Sequence, residues 1–256
     1  MSAEMSAKIT AIHRYPVKGL KPEVMSSVAL TKGQTLPFDR KWAIENGPSG
    51  FLASQPAHLP KTKFLMLARN ERLAQLETGF DEASQTITIS RGGKQVVSGA
   101  LNEKLGRQLI EQFFASFMEK DLRGSPKILS SNDHNFTDVP EKSISIINRA
   151  TCEDITRVIG QPVHPDRFRG NFIIEGLPAW EEFNWIDKDI TIGTAKCQVY
   201  SRITRCGATN VDPATAQRDL QIPKTLMNAF GHMQCGLYAT VIHDGNASPG
   251  DEISPL

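Results

Sequence analysis

No apolar run in the sequence is long enough to cross a bilayer. The longest, Phe64–Ala68, falls far short of the roughly 20 residues a helical span requires. Met1–Lys8 carries no apolar segment and no small-residue cleavage site, so no secretory leader is expected. An excess of one charge is missing as well, since 29 Lys and Arg oppose 28 Asp and Glu for a formal net charge of +1. That balance argues against a nucleic-acid partner held by bulk charge and against a membrane partner, and leaves room only for local patches. Cysteine is scarce: four of 256 residues, with no CxxC, which suits a reducing, cytoplasmic compartment better than a disulfide framework. The fingerprints GxGxxG, GxxxxGK(S/T), HExxH and GxSxG are all lacking. The six histidines, at 13, 58, 134, 164, 232 and 243, never fall at helical metal-ligand spacing, so support for zinc is weak.

What is present is a chain of short strands. Ile9 to Tyr15 reads as a strand stopped by Pro16, and Lys41 to Ile44 as another, closed by the turn-rich Asn46-Gly47-Pro48-Ser49-Gly50. Phe64 to Ala68 reads as a buried strand. Thr86 to Ser90 alternates apolar and polar, and Gly92-Gly93 turns it into Gln95 to Ser98 as a hairpin. The period then changes. Leu101, Leu105, Leu109, Phe113 and Phe117 recur every four residues, with Ile110 and Phe114 beside them, which predicts a helix with one broad apolar face ending before Gly124-Ser125-Pro126. A composition shift over Gly124 to Asp138 marks a domain boundary near residue 125.

The second half resumes with a strand at Ser143 to Asn148. A helix follows from Thr151 to Gly160, with Thr151 and Asp154 as an approximate capping box. Asn171 to Glu175 reads as a strand, Asp189 to Thr204 as two, Pro223 to Phe230 as a helix closed by Gly231, and Leu237 to His243 as a last strand. Cys197, Val199, Ser201 and Ile203 share one strand face. Cys206 falls with Tyr200, Arg202 and Thr204 if the strand continues regularly.

Two segments carry candidate chemistry. In Arg202-Ile203-Thr204-Arg205-Cys206-Gly207, arginine charge beside a cysteine favours thiolate, the form that attacks electrophiles or binds soft metals. A buried cysteine acting as a small hydrophobe is the other reading, and local sequence does not decide between them. In Arg167-Phe168-Arg169-Gly170-Asn171, two arginines and an asparagine fall on one side of an extended segment and could hold a phosphate. A solvated polar strand face is the other reading. Lys18, after Tyr15-Pro16-Val17, and Arg40, in Asp39-Arg40-Lys41-Trp42, add short cationic motifs in the first half.

Taken in order, Tyr15-Pro16-Val17-Lys18-Gly19-Leu20, Asp39-Arg40-Lys41-Trp42, Arg167 to Asn171, Trp180-Glu181-Glu182 with Ile192-Gly193, and Arg205-Cys206 to Val211-Asp212-Pro213 resemble the MOSC-domain family. The resemblance covers nearly the whole chain. It implies a β-rich α+β fold in which an N-terminal β-barrel-like domain, residues 1–125, packs on a MOSC β-barrel domain, residues 126–256. It also implies a site for the molybdenum cofactor, a pterin dithiolene carrying a phosphate, and a family description of pyridoxal phosphate binding. By similarity to the amidoxime-reducing branch of that family, Cys206 would be both catalytic residue and molybdenum ligand. Lys18, Gly19, Arg40, Arg167, Arg169 and Asn171, with Arg205, Thr209 and Asn210 beside the cysteine, would hold the cofactor.

The activity implied is reduction of N-hydroxylated or similar small substrates by oxygen removal at the metal. The chain carries no cluster-binding cysteine set and no nucleotide fingerprint, so a separate donor such as a ferredoxin, a flavodoxin or a reductase would bring the electrons. A non-catalytic carrier or insertion protein for the cofactor, or for sulfur on Cys206, is the rival. A thiol enzyme without metal is a third reading. The chain departs from the amidoxime-reducing branch at Gly19, where those relatives carry serine, so a side-chain hydrogen bond is lost and the backbone N–H remains; it also shows no cysteine cluster like that of the ferredoxin-like domain some bacterial relatives carry.

Overall fold

The computed structural model describes residues 6–256, so the Met1–Met5 part of the N-terminal stretch lies outside the described residues. Its first half contains β1 (Ala7–Arg14), β2 (Glu23–Met25), β3 (Val28–Leu30), β4 (Trp42–Glu45), β5 (Leu76–Asp81), β6 (Thr86–Arg91), β7 (Lys94–Ala100), α1 (Lys104–Phe117) and β8 (Lys127–Ser130). The second contains β9 (Ile144–Asn148), α2 (Arg149–Ile159), β10 (Phe172–Glu175), β11 (Asp189–Ile192), β12 (Ala195–Thr204), α3 (Ile222–Phe230), β13 (Gln234–His243), β14 (Gly245–Ala247) and β15 (Glu252–Pro255). The architecture is the β-rich α+β one expected.

Seven strands close into a barrel in the order β1-β10-β9-β13-β12-β11-β15 and back to β1, with β2 attached outside on β1. Closure removes the open edges that would otherwise invite pairing with other chains. Alternation in the sequence becomes alternation in burial: in β12, Ala195, Cys197, Val199 and Ile203 point inward while Lys196 and Gln198 face out. Ile12, Ile146, Ile174, Val199, Leu237 and Ile253 meet in the barrel interior. The alternative of a buried, inert cysteine describes Cys197 well, since burial pushes its thiol up to about 12.

β3 pairs with β14 and buries Val28 and Leu30 in the same core, whereas most of the remaining first half builds a second one. β5, β6 and β7 form an antiparallel meander, and β4 pairs with β8 across the composition shift, Trp42 opposite Ser130. The helix predicted over Leu101 to Lys120 forms, but its buried face differs from the expectation. Gly106, Ile110, Phe114 and Phe117 point inward, whereas Leu105 and Leu109 are exposed. Backbone contact decides this: a Cβ on Gly99 of β7 would sit 2.4 Å from the Gly106 carbonyl oxygen, so the two glycines let helix and sheet touch.

Three local expectations are corrected. Phe64–Ala68 is no strand: Leu65 N–H donates to the Ile44 carbonyl, and the chain then turns, with Asn70 Oδ1 accepting from Met66 N–H. α2 starts at Arg149, capped by Asn148 Oδ1 accepting from Ala150 N–H, while the Thr151 hydroxyl donates to the buried Glu182 carboxylate instead of capping. β12 ends at Thr204 with register irregularities on the way, so Cys206 does not continue its pleat. Among the described residues no helix is long and apolar enough to cross a membrane.

Candidate functional site

Where β1 leaves the barrel, Pro16 has no N–H to extend the ladder and the chain turns toward the other core. Val17 bridges Trp42, and Lys18 N–H donates to the Trp42 carbonyl, which draws the first two motifs together. Gly19 follows with φ +87°, and a Cβ there would lie 2.9 Å from the Leu65 carbonyl oxygen. A serine at this position would be strained in this backbone, which gives a physical reason for the departure noted in the sequence.

The Arg167–Asn171 segment is not extended. Pro165–Phe168 makes a 3-10 turn and Arg169 is left-handed, φ +54°, so the two arginines diverge. Arg167 is buried and its guanidinium donates to Asp219 at 2.8 and 2.7 Å and to Asp212 at 2.9 Å, all its charge answered by carboxylates. Arg169 instead lies 4.3 Å from the Tyr15 ring centroid, where Arg40 also rests at 4.5 Å. Arg40 is left-handed too, φ +49°, pairs with the neighbouring Asp39 carboxylate and donates to the Arg169 carbonyl at 2.9 Å. The Asn171 side chain is occupied, its Oδ1 accepting from Ser145 N–H and hydroxyl and its Nδ2 donating to the His13 carbonyl.

These elements enclose a cavity of about 390 Å³ between the barrel and the first-half core. Lys18, Gly19, Arg40, Arg167, Arg169, Asn171, Arg205, Cys206 and Thr209 all line it; Asn210 does not, and its Oδ1 caps the start of α3 by accepting from Ile222 N–H. The Thr209 hydroxyl donates to the Cys206 carbonyl and fixes the turn that follows the cysteine. Arg205 donates from Nε to the Cys235 carbonyl and from Nη1 to Phe168, leaving a buried Nη2 without an acceptor among the described residues.

Sequence reasoning missed Lys61 and Asp138. Lys61 Nζ sits 3.3 Å from Cys206 Sγ and 3.1 Å from Asp138 Oδ2, and the same carboxylate takes Lys18. No local signal marks Lys61, which reaches the cysteine from 145 residues away. Burial lowers the Lys18 ammonium even though Asp138 opposes the shift. Burial alone would raise the Asp138 carboxyl, but the two ammonium groups outweigh it and hold the group well below the usual carboxylate range. Seven Lys and Arg side chains line the cavity against one carboxylate, Asp138. Asp39, Asp212 and Asp219 answer Arg40 and Arg167 from behind, so Arg169, Arg202 and Arg205 supply the excess. Such a site can hold a polyanion beside a thiol. Among the described residues there is no group of three or more Cys, His, Asp or Glu that could hold a metal ion.

The MOSC N-terminal beta barrel domain matches residues 6–122 and the MOSC domain matches 132–254. The mitochondrial amidoxime reducing component 2 of Bos taurus is 27% identical over 133 residues, 46% of this chain and 39% of that protein. A molybdenum cofactor sulfurase of Drosophila erecta is 26% identical over 255 residues, which are 92% of this chain and 32% of that protein. The match thus spans about a third of the length of the Drosophila sulfurases, 32% for the Drosophila erecta protein. The solved YuaD protein of Bacillus subtilis is similar over 99% of this chain and 97% of its own, at TM-score 0.43 and 12% identity. With a MOSC N-terminal beta barrel domain followed by a MOSC domain, the chain belongs to the MOSC-domain family.

Proposed function

We propose that the cavity binds a molybdenum cofactor and that the chain is a reductase of N-hydroxylated small molecules. The observation that carries this reading is the placement of one thiol, Cys206, in a cavity with an excess of fixed arginine charge. The residues fit the group. A pterin carrying a phosphate needs fixed donors, and Arg205 Nη2 is a buried donor with no acceptor while the Arg169 guanidinium has only the Tyr15 ring. The dithiolene brings two sulfurs of its own, so a single cysteine completes a soft ligand set.

When bound, the cofactor supplies a two-electron centre that accepts oxygen from the substrate. The net change is R–NH–OH plus two electrons and two protons giving R–NH2 and water. Cys206 is the metal ligand, and the ammonium of Lys61, bonded to Asp138, holds its sulfur in place. Arg40, Arg169 and Arg205 hold the anionic parts. Lys18 is a positioning residue, because its ammonium is already bonded to Asp138 and to the Phe136 carbonyl. Electrons come from an acidic one-electron protein docking at the Arg202 and Arg205 side, an encounter that weakens with salt.

The match to sulfurases over most of this chain favours a second reading, in which the same site carries the cofactor or a sulfur atom without turnover. One experiment separates the two. Purified protein is analysed for molybdenum and pterin, then supplied with reduced benzyl viologen and benzamide oxime. Bound molybdenum with viologen-dependent benzamidine formation supports the reductase; bound molybdenum without turnover supports the cofactor carrier; absence of molybdenum and pterin from protein made in a cofactor-producing host overturns both of these and leaves only the sulfur carrier.

A further inference from the structure

Lys61 holds the Cys206 sulfur from within the cavity, and a second cation holds the same turn from outside it. Arg218 closes the short buckle of residues 211–218. Val211 bridges Arg218, Asp212 N–H donates to the Gln217 carbonyl at 2.8 Å, and Asp212 Oδ1 accepts from the Ala214 and Thr215 N–H groups. Arg167 pairs with both Asp212 and Asp219, which fixes the buckle to the barrel half. From that base the Arg218 guanidinium reaches two ways. Nη1 donates to the carbonyl of Gly207, the residue after Cys206, at 3.0 Å. Nη2 donates to the Leu67 and Ala68 carbonyls at 2.9 and 2.8 Å, and Nη2 and Nε meet Glu71 Oε2 at 3.1 and 3.2 Å. Those acceptors belong to the first half; Ala68 lies 150 residues back in the chain.

The structure assigns Arg218 the role of a positioning residue: a strap outside the seam that sets how far the Cys206 turn stands from the Leu67–Ala68 loop. Leu67 and Ala68 of the first half and Cys206 and Ala208 of the second all line the cavity, and Arg218 does not. A planar fork of donors suits this task, because it can serve acceptors on two loops at once in fixed directions. Beneath it, Ala74 of the first half packs on Val211 and Ala216 of the buckle, a small apolar cluster that keeps the halves together when the polar tie is lost. Loss of the strap is therefore a local opening beside Cys206, with both cores intact. The strap follows from the seam alone; its bearing on cofactor retention rests on the reading that the cavity holds the cofactor.

The test reads the cavity wall through Cys206 itself. The chain is made in a host unable to synthesise the cofactor and alkylated with iodoacetamide, which is small, or fluorescein-5-maleimide, which is bulky. Cys206→Ser gives the background, since Cys152, Cys197 and Cys235 are buried. Arg218→Ala is expected to speed the bulky reagent at least about tenfold and the small one less than about twofold. Arg218→Lys, which keeps the charge without the fork, should behave like Arg218→Ala. Equal acceleration of the two reagents would mean a general loosening and overturns the assignment. An unchanged bulky-reagent rate in Arg218→Ala, or a parent-like rate in Arg218→Lys, overturns it as well. In protein from a cofactor-producing host, molybdenum and pterin retained through dialysis should fall at least about threefold in Arg218→Ala, and equal retention removes the strap's bearing on the cofactor. A parent protein without cofactor would refute the cofactor reading, while the alkylation rates still decide the strap.

Discussion

The barrel interior and the seam between the two cores are built from the same strands, yet their polar groups are treated in opposite ways. Inside the barrel, side chains are apolar, and the polar groups at its edge, such as Asn148, Thr151 and Glu182, bond to one another. In the seam, cations outnumber carboxylates, Arg205 Nη2 and Tyr15 Oη lack acceptors, and two arginines hold left-handed backbone. Each such departure lowers stability by about 1–3 kcal/mol. Others lie elsewhere among the described residues, at Tyr200 Oη and at left-handed Trp180 and Asp187, but at the cavity they fall on the arginines proposed to bind the anion. The contrast reaches residue scale at Arg167 and Arg169, two apart in sequence, one fully paired and one left with an aromatic face.

The largest expected effect separates Cys206 from Cys197. Cys206→Ser should lower viologen-linked reductase activity by roughly 100-fold or more while the circular dichroism spectrum stays unchanged. Cys197→Ala, in the barrel interior, should keep its activity and lose about 1–3 kcal/mol of stability in urea unfolding. Next is the arginine pair. Arg167→Ala leaves two carboxylates facing an apolar gap and should destabilise by roughly 3 kcal/mol. Arg169→Ala should change stability by less than about 1 kcal/mol and instead lower the pterin content per chain. If the two variants exchange outcomes, the division between scaffold and clamp is wrong.

Smaller effects lie in the pH profile. Asp138 titrates below its usual 3.8 in the folded chain, so the stability it contributes is present above that value and is lost as pH falls through the folded one. Thermal unfolding of Asp138→Asn should therefore show a shallower acid limb than the parent below about pH 4. Tyr15 gives the opposite sign. Burial, opposed by the two arginines, pushes its phenol from 10.0 up to about 12, so stability present below 10.0 is lost as pH rises through that window. Tyr15→Phe should flatten the alkaline limb, and with no partner lost its neutral-pH stability should be equal or slightly higher. The smallest effect is on electron supply: raising salt from about 50 to 200 mM should slow an acidic donor roughly twofold to fivefold and leave viologen unaffected.

Much of the barrel was legible because its longer strands alternate over four or more residues, as β12 and β13 do. β2, β3 and β14, three residues each, offer too short a pattern to read. The period of α1 was visible, but its inward face was set by the Gly99–Gly106 contact, a tertiary fact that no helical wheel contains. The cationic motifs were readable, and so was their order. Which arginine faces the cavity was not, because Arg169 is left-handed and breaks the alternation that an extended segment would impose. Lys61 opens a 3-10 turn and Asp138 ends the stretch of shifted composition, and only folding brings them to Cys206.

The central claim is that Cys206 is the one protein ligand to a molybdenum held in the seam. X-ray absorption at the molybdenum edge tests it on wild type and on Cys206→Ser loaded with the cofactor. One sulfur neighbour fewer in the variant, with the two dithiolene sulfurs retained, is the predicted result. An identical sulfur shell in both proteins would contradict the account.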